Sequence, residues 1–323
     1  MKRHKRNGYV LAVGTALILV FFMNSSPVEH YFSVIKNESV QVDRPAEKDD
    51  ALRMQIEQWK QGREQAAVDA RIDRIWKAIP GYNGLMVDVE ASLAHMRKSN
   101  NPSPQLLVYR EVPPAVTLDQ LEPQPIYRGN PQKPAIAFMI NVAWGNEHLD
   151  SMLDTLDRFQ VKTTFFLDGS WVKRYPDLAK KIADRGHEIG NHAYSHPDMS
   201  KLGESRIRQE MERTQEVIEK TIGAKPKLFA PPSGAFNETV VHLARNEFGM
   251  KTILWTADTV DWQKPSTQTV IQRIEPKMGN GVLVLMHPTK PSAEALPRLL
   301  QLAQQKGLRP TTVSELISSK RLP

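Results

Sequence analysis

The chain has 323 residues, enough for one sizeable globular domain with additions, and its 40% hydrophobic and 24% charged content suits a protein that folds around a core. It has no cysteine, which excludes disulfides, thiolate metal sites, thiol nucleophiles and lipidated cysteine, and leaves His, Asp and Glu as metal ligands. Forty-three Lys and Arg against 36 Asp and Glu give a net charge of +7 without an Arg-rich stripe interleaved with aromatics, a pattern of anionic polymers or lipid headgroups outside the cell, or of no special partner, but not of nucleic acid.

Lys2, Arg3, Lys5 and Arg6 precede an uncharged run over residues 8–23, GYVLAVGTALILVFFM. Cationic residues stay cytoplasmic while an apolar run enters the bilayer, which places everything after Asn24 outside the cytoplasm. The run is shorter than the about 20 residues typical of a spanning helix. Residues 1–26 are therefore read as a basic tip and signal anchor of a single-pass cell-membrane protein, with secretion after signal cleavage as the alternative; Ser25 and Ser26 follow the run, but no A-x-A site does. Residues 27–130 read as a stalk carrying a small module. Its helical pattern starts at Asp50 (Leu52, Ile56, Trp59, then Ile72, Ile75, Trp76, Ile79) and stops at Pro80-Gly81. A short strand (Leu85, Val87, Val89), a helix from Ala91 to Arg97 and a strand from Leu106 to Val112 follow. Six prolines between Pro113 and Pro134 then predict a stiff linker.

After Pro134 the pattern becomes regular. Strands are expected at Ala135 to Ile140, Lys162 to Leu167, Lys227 to Ala230, Lys251 to Trp255 and Gly281 to Met286. Helices are expected from Leu149 to Phe159, Ser170 to Arg185, Ser205 to Ile222, Glu238 to Phe248, Thr267 to Pro276 and Ala293 to Lys306. This alternation predicts an α/β fold: a parallel sheet covered by helices, closed or nearly closed into a (β/α) barrel, irregular, of seven or eight strands. In such folds chemistry sits on loops at the carboxyl ends of strands.

One of those loops is Glu188-Ile189-Gly190-Asn191-His192-Ala193-Tyr194-Ser195-His196-Pro197. Two imidazoles four residues apart can converge on a zinc-like ion, from a helix face or from a loop folded over it. Gly190 and Pro197 bracket the pair and favour the loop. Other strand ends carry Asn141, residues 231–234, residues 258–262 and His287.

These strand ends resemble the motifs of the polysaccharide deacetylase family (the NodB-homology, carbohydrate esterase type), in particular its sporulation-linked bacterial branch, over about residues 133–317. The first motif is Met139-Ile140-Asn141-Val142-Ala143-Trp144-Gly145, where family members carry Asp at position 141. The second, His-x-x-x-His, is His192 to His196. The third is Ala230-Pro231-Pro232-Ser233-Gly234, with Ala230 in place of arginine. The fourth is Asp258-Thr259-Val260-Asp261-Trp262, and the fifth is Leu283-Val284-Leu285 with Met286 inserted before His287. The resemblance assigns residues 131–323 to a polysaccharide deacetylase-like domain.

It implies metal-dependent hydrolysis of N-acetyl groups on peptidoglycan or a chitin-like glycan. His192 and His196 would hold a divalent metal, zinc or similar, and His287 would protonate the leaving amine, tuned by Asp258 or Asp261. Trp262, Leu285, Pro232 and Trp144 would line the substrate pocket. The departures fall on the base side. An amide at Asn141 cannot take a proton at neutral pH, and loss of a general base typically forfeits about 10²- to 10⁴-fold in rate. The next residue, where many members carry the metal-binding aspartate, is Val142; Asn146, Glu147 or Asp150 are the candidates for a displaced ligand. Ala230 is consistent with Asn141, because an arginine buried without its carboxylate would be an uncompensated charge. Two readings follow: a deacetylase with weak or lost activity, or a glycan- or partner-binding pseudoenzyme of wall or spore-envelope assembly.

Overall fold

The computed structural model of the chain describes residues 45–99 and 101–321, so the expected anchor over residues 8–23 and the first part of the stalk lie outside the described residues. Among the described residues no helix is long and apolar enough to cross a membrane. The described residues fall into two compact units, one from 45–62 together with 88–108, the other from 63–87 together with 109–321. The smaller unit pairs helix α1 (Pro45–Lys60), which buries Ile56, with helix α2 (Val89–Met96), which buries Leu93 and Met96. Asp88 caps α2 by accepting the Ala91 amide.

The larger unit begins with a correction to the sequence reading. The helix expected to run on to Ile79 stops at Lys60, and Ile72 and Ile79 lie instead in an antiparallel hairpin of β1 (Arg71–Asp73) and β2 (Lys77–Ile79). Asp73 Oδ1 accepts the amides of Ile75 (2.8 Å) and Trp76 (2.9 Å), and Lys77 takes φ 55°. This side-chain-to-backbone turn competes with the helix, and the β-branched isoleucines favour the strands. β3 (Gly84–Val87) and β4 (Tyr109–Val112) pair antiparallel. The proline-rich stretch after it is tied to the sheet: Ile126 is buried and bridges Ile253, and Asp119 pairs with Arg245 (2.7 Å) and Lys251 (3.0 Å).

The main sheet comprises β5 (Ala135–Val142), β6 (Thr164–Leu167), β7 (Glu188–Asn191), β8 (Leu228–Phe229), β9 (Lys251–Thr252), β10 (Ala257–Asp258) and β11 (Val282–Met286). They run parallel in the order β10-β11-β5-β6-β7-β8-β9, and β12 (Arg309–Thr311) adds to β5. The sheet curls into a half-barrel rather than closing, because β8, β9 and β10 have two residues each and leave no ladder to join the edges β9 and β10. Helices α3 (Asn146–Arg158), α4 (Gly169–Arg174), α5 (Pro176–Asp184), α6 (Glu204–Ile222), α7 (Glu238–Asn246), α8 (Thr267–Ile274), α9 (Lys290–Gln305) and α10 (Val313–Ile317) complete the unit. The single helix expected over 170–185 is two helices, because Pro176 has no amide to continue the first and starts the second.

Strand alternation splits the core. Ile136, Phe138, Ile140 and Val142 face the covering helices together with Leu149, Met152 and Leu153 of α3. Ala135, Ala137 and Met139 face the concave side with Phe166, Leu228, Ala230, Leu283 and Leu285. Polar groups at the carboxyl ends of the inward-facing rows therefore open into one cleft.

Candidate active site at the strand tips

Register decides which side chains reach the cleft. Asn141 lies opposite Phe166 of the inner core, so Asp168, two residues beyond Phe166, follows on the same face. Phe166 lies opposite Gly190, which places His192 there too, and the pairing of Asn191 with Phe229 brings in Ala230. On the other flank Met139, Leu285 and Asp258 share a level, and His287 follows β11. Asn141, Asp168, His192, Ala230, Asp258 and His287 thus belong to one lip of the sheet.

On the acid flank, Asp261 is fully buried and oriented by three donors. His287 Nδ1 lies 2.7 Å from Oδ1, the His287 amide donates to Oδ2 at 2.7 Å, and Ser292 Oγ donates to Oδ2. Burial pulls the Asp261 pKa up, but the bonds from His287 and Ser292 outweigh it and hold the carboxyl below its ordinary value. A carboxylate on Nδ1 fixes the Nδ1–H tautomer and leaves Nε2 for other work. Of the two aspartates expected near His287, Asp261 is the one bonded to it; Asp258 Oδ1 closes a local turn on the Val260 amide (2.8 Å). Trp144 stacks on the His287 ring, with centroids 5.6 Å apart and planes 11° from parallel. Trp144 and Trp262 remain 44% and 55% exposed, which makes them available as flat apolar platforms, while Leu285 and Pro232 are buried.

On the other flank, Asn141 is 3% exposed and its Oδ1 is buried with no hydrogen-bond partner. Ala230 is fully buried in the inner core, and its carbonyl oxygen lies 2.7 Å from His192 Nδ1. Burial, with His196 nearby, pushes the His192 pKa down to about 3, so the ring is neutral and Nε2 keeps its lone pair. The His192 and His196 rings meet edge to face at 5.1 Å. His196 is on the exposed part of the loop with φ 55°. Among the described residues no three imidazole or carboxylate groups already converge as a metal site.

The residues considered as displaced ligands are engaged elsewhere. Val142 is buried in the outer core. Asn146 Oδ1 accepts from Trp171 Nε1 at 2.7 Å, Glu147 is a largely exposed neighbour of His148, and Asp150 pairs with Lys181 at 2.7 Å. Two acidic residues that sequence reasoning did not single out do reach the histidine loop. Glu210 of α6 is fully buried and accepts the amides of Tyr194 (2.9 Å) and Ser195 (2.8 Å), Ser195 Oγ (2.8 Å) and Arg206 (2.6 Å). Its signal was available: it sits in the inward stripe of α6 between Ile207 and Met211. Asp168 directly follows a buried strand, the same rule that picked out Asn141 and His287. It is 2% exposed; Oδ1 accepts Ser170 Oγ (2.6 Å) and the Trp171 amide (2.9 Å), whereas Oδ2 is buried without a partner. Burial raises its pKa, and the bonds from Ser170 and Trp171 with the nearby His196 offset this in part.

The polysaccharide deacetylase family model matches residues 128–253. The YlxY protein of Bacillus subtilis is 47% identical over 310 residues, 94% of this chain and 96% of the relative. The crystal structure of BA3943 from Bacillus anthracis, a carbohydrate esterase family 4 (CE4) pseudoenzyme, is 43% identical and superposes with a TM-score of 0.78 over 84% of this chain and 96% of that one. A mutant of the same protein with restored enzymatic activity superposes with a TM-score of 0.78. A peptidoglycan-N-acetylglucosamine deacetylase of Bacillus cereus is 32% identical over 180 residues, 54% of this chain and 65% of that protein.

Proposed function

This chain belongs to the polysaccharide deacetylase family, and from that premise we propose that it binds N-acetylated glycan of the cell envelope in the strand-tip cleft, with hydrolysis weak or lost. The observation that carries the reading is the buried amide of Asn141 opposite the acid flank. An amide takes no proton from water at neutral pH, so the general-base contribution of about 10²- to 10⁴-fold is missing. Ala230 fits the same picture, since its methyl group needs no carboxylate partner. Peptidoglycan is the favoured glycan, because relatives such as the Bacillus cereus enzyme act on it.

Each flank has a proposed part. Trp144 and Trp262 are platforms for sugar faces, and Leu285 and Pro232 line the wall between them. His192 and His196 are the imidazoles that would hold a divalent metal; His192 suits this, being neutral and oriented through Nδ1. When bound, such an ion polarises an acyl oxygen and acidifies water. His287, oriented by Asp261 through Nδ1, presents Nε2 at the edge of the cleft, the atom that would pass a proton to a leaving amine. The preserved His287–Asp261 pair is the observation that favours the second reading, a slow deacetylase. The basic residues before the apolar run at 8–23 support attachment to the membrane, with residues 131–323 as the glycan-facing domain on the outer side.

The test is acetate release from peptidoglycan or chitooligosaccharide by the purified chain with zinc or cobalt, alongside binding to the same glycans. Binding with little or no release is expected; robust turnover would end the reading. Asn141→Asp combined with Ala230→Arg should raise release more than the two single changes multiplied together, because they form one ion pair. Independent effects would refute the pairing.

A further inference from the structure

We propose that the groove between α4, α5 and α6 binds the negatively charged peptide branch of an envelope glycan, through Lys173, Lys180, Arg213 and Lys220. The assignment rests on the glycan-binding function proposed above. It extends that function from the sugars in the strand-tip cleft to the carboxylates that branch from them.

The groove has a volume of about 480 Å³, within the range of small-ligand sites. Lys173 is in the last turn of α4, Lys180 is on α5, and Arg213, Glu216 and Lys220 share a face of α6 through spacings of three and four. Four cations thus share the lining with one carboxylate. Other cations of α5 and α6 are matched: Lys181 pairs with Asp150 (2.7 Å), and Arg208 pairs with Glu204 and Glu247 (2.7 Å each). Among the described residues none of the four groove cations has a carboxylate partner; Arg213 lies instead over the Tyr194 ring, 3.7 Å from its centroid. Unmatched positive charge in a concave site concentrates anions there.

Tyr194 joins the groove to the histidine loop, where it stands midway between His192 and His196. Its amide donates to Glu210 (2.9 Å) and its carbonyl accepts the Ser170 amide (2.8 Å). Gly169 leaves room for the ring, since a Cβ there would lie 2.6 Å from Tyr194 Cδ2. The ring is thereby held between the start of α4 and Arg213 as one wall of the groove. A branch leaving a sugar seated over the histidine loop meets that wall and the cations beside it. A lipid surface fits less well: the groove is concave, and the exposed large apolar side chains of the described residues, Trp144 and Trp262 among them, lie outside it.

The experiment measures, by calorimetry on the full chain, affinity for three probes: a peptidoglycan disaccharide with its peptide branch, the same disaccharide stripped of it, and the free peptide. The wild type should bind the branched probe about five- to thirtyfold more tightly than the stripped one, the worth of two or three exposed ion pairs. That preference should shrink as salt rises. Lys180→Glu combined with Lys220→Glu, at exposed helix positions that glutamate suits, should bring the ratio of the two affinities close to one. If that double variant fails to fold, Lys180→Gln with Lys220→Gln takes its place and should lower the ratio by at least about threefold. Equal affinity of the wild type for both disaccharides would overturn the assignment and leave the cleft function standing. Failure of both disaccharides beside free-peptide binding that the double variant abolishes would do the reverse. No binding of either peptide-bearing probe, or a preference that the folded variant retains, would overturn the assignment. So would capture of phosphatidylglycerol vesicles that the variant loses without any branch preference, which would give the groove to lipid.

Discussion

At the scale of single residues, the histidine loop is held in place from below. Glu210 collects two amides, one hydroxyl and one guanidinium, and its partners Tyr194 and Ser195 lie between the two imidazoles. Removing an acceptor from a buried network strands its donors at about 1–3 kcal/mol each. Glu210→Ala is therefore expected to lower unfolding stability by about 3 kcal/mol in urea denaturation, and to loosen the loop enough to weaken metal and glycan binding. Glu210→Gln keeps part of the acceptor set and should fall between the two. A stability change within about 0.5 kcal/mol for Glu210→Ala would show that the loop is positioned by other contacts.

At the scale of elements, the turn between β5 and α3 carries the aromatic wall. Gly145 has φ 85°, and a Cβ there would lie 1.9 Å from the Pro288 carbonyl oxygen. Only glycine permits this approach, and it places Trp144 flat against His287. Gly145→Ala is expected to cost about 1–3 kcal/mol of stability and to break the Trp144–His287 stack. The readout is tryptophan fluorescence, which should change as Trp144 leaves the His287 ring, and glycan affinity, which should fall while the Asp261–His287 pair stays formed. Unaltered fluorescence and affinity would mean that Trp144 is held by something other than this turn.

At the scale of the whole molecule, the amino and carboxyl ends of the strands respond to different conditions. His187, just before β7, is at the opposite end from the cleft. Its ring lies against Phe165 at 5.0 Å, Nδ1 accepts the Thr163 amide at 3.3 Å, and Nε2 has no partner. Burial pushes its pKa down from 6.5 to about 4. The unfolded chain thus takes up a proton that the folded chain refuses between those values. The stability tied to His187 is complete above pH 6.5 and is lost progressively as pH falls toward 4. Melting temperatures measured across that window should fall more steeply for the wild type than for His187→Phe. Parallel curves would assign the acid sensitivity to other groups, His192 among them.

How much could be read beforehand follows from what each feature depends on. Strand–helix alternation after Pro134, the histidine pair and the tips at Asn141, Ala230 and His287 were legible because burial period and strand ends are local properties. The 71–79 hairpin was not, since one Asp73 turn outcompeted a helical spacing that the isoleucines happened to share. Nor were the two-residue strands β8 to β10, which are too short to show a period and which leave the barrel open. By itself the chain determined that the candidate residues sit at the ends of parallel strands, because residue type and alternation suffice for that; the reading of Asn141 as an amide in place of a proton acceptor came from the resemblance of its motif to the family's. Only the tertiary structure decided that Asp261 rather than Asp258 holds His287, that Glu210 props the histidine loop, and that Asp168 keeps an oxygen unclaimed. Those facts depend on contacts between segments far apart in sequence, and no local pattern encodes them.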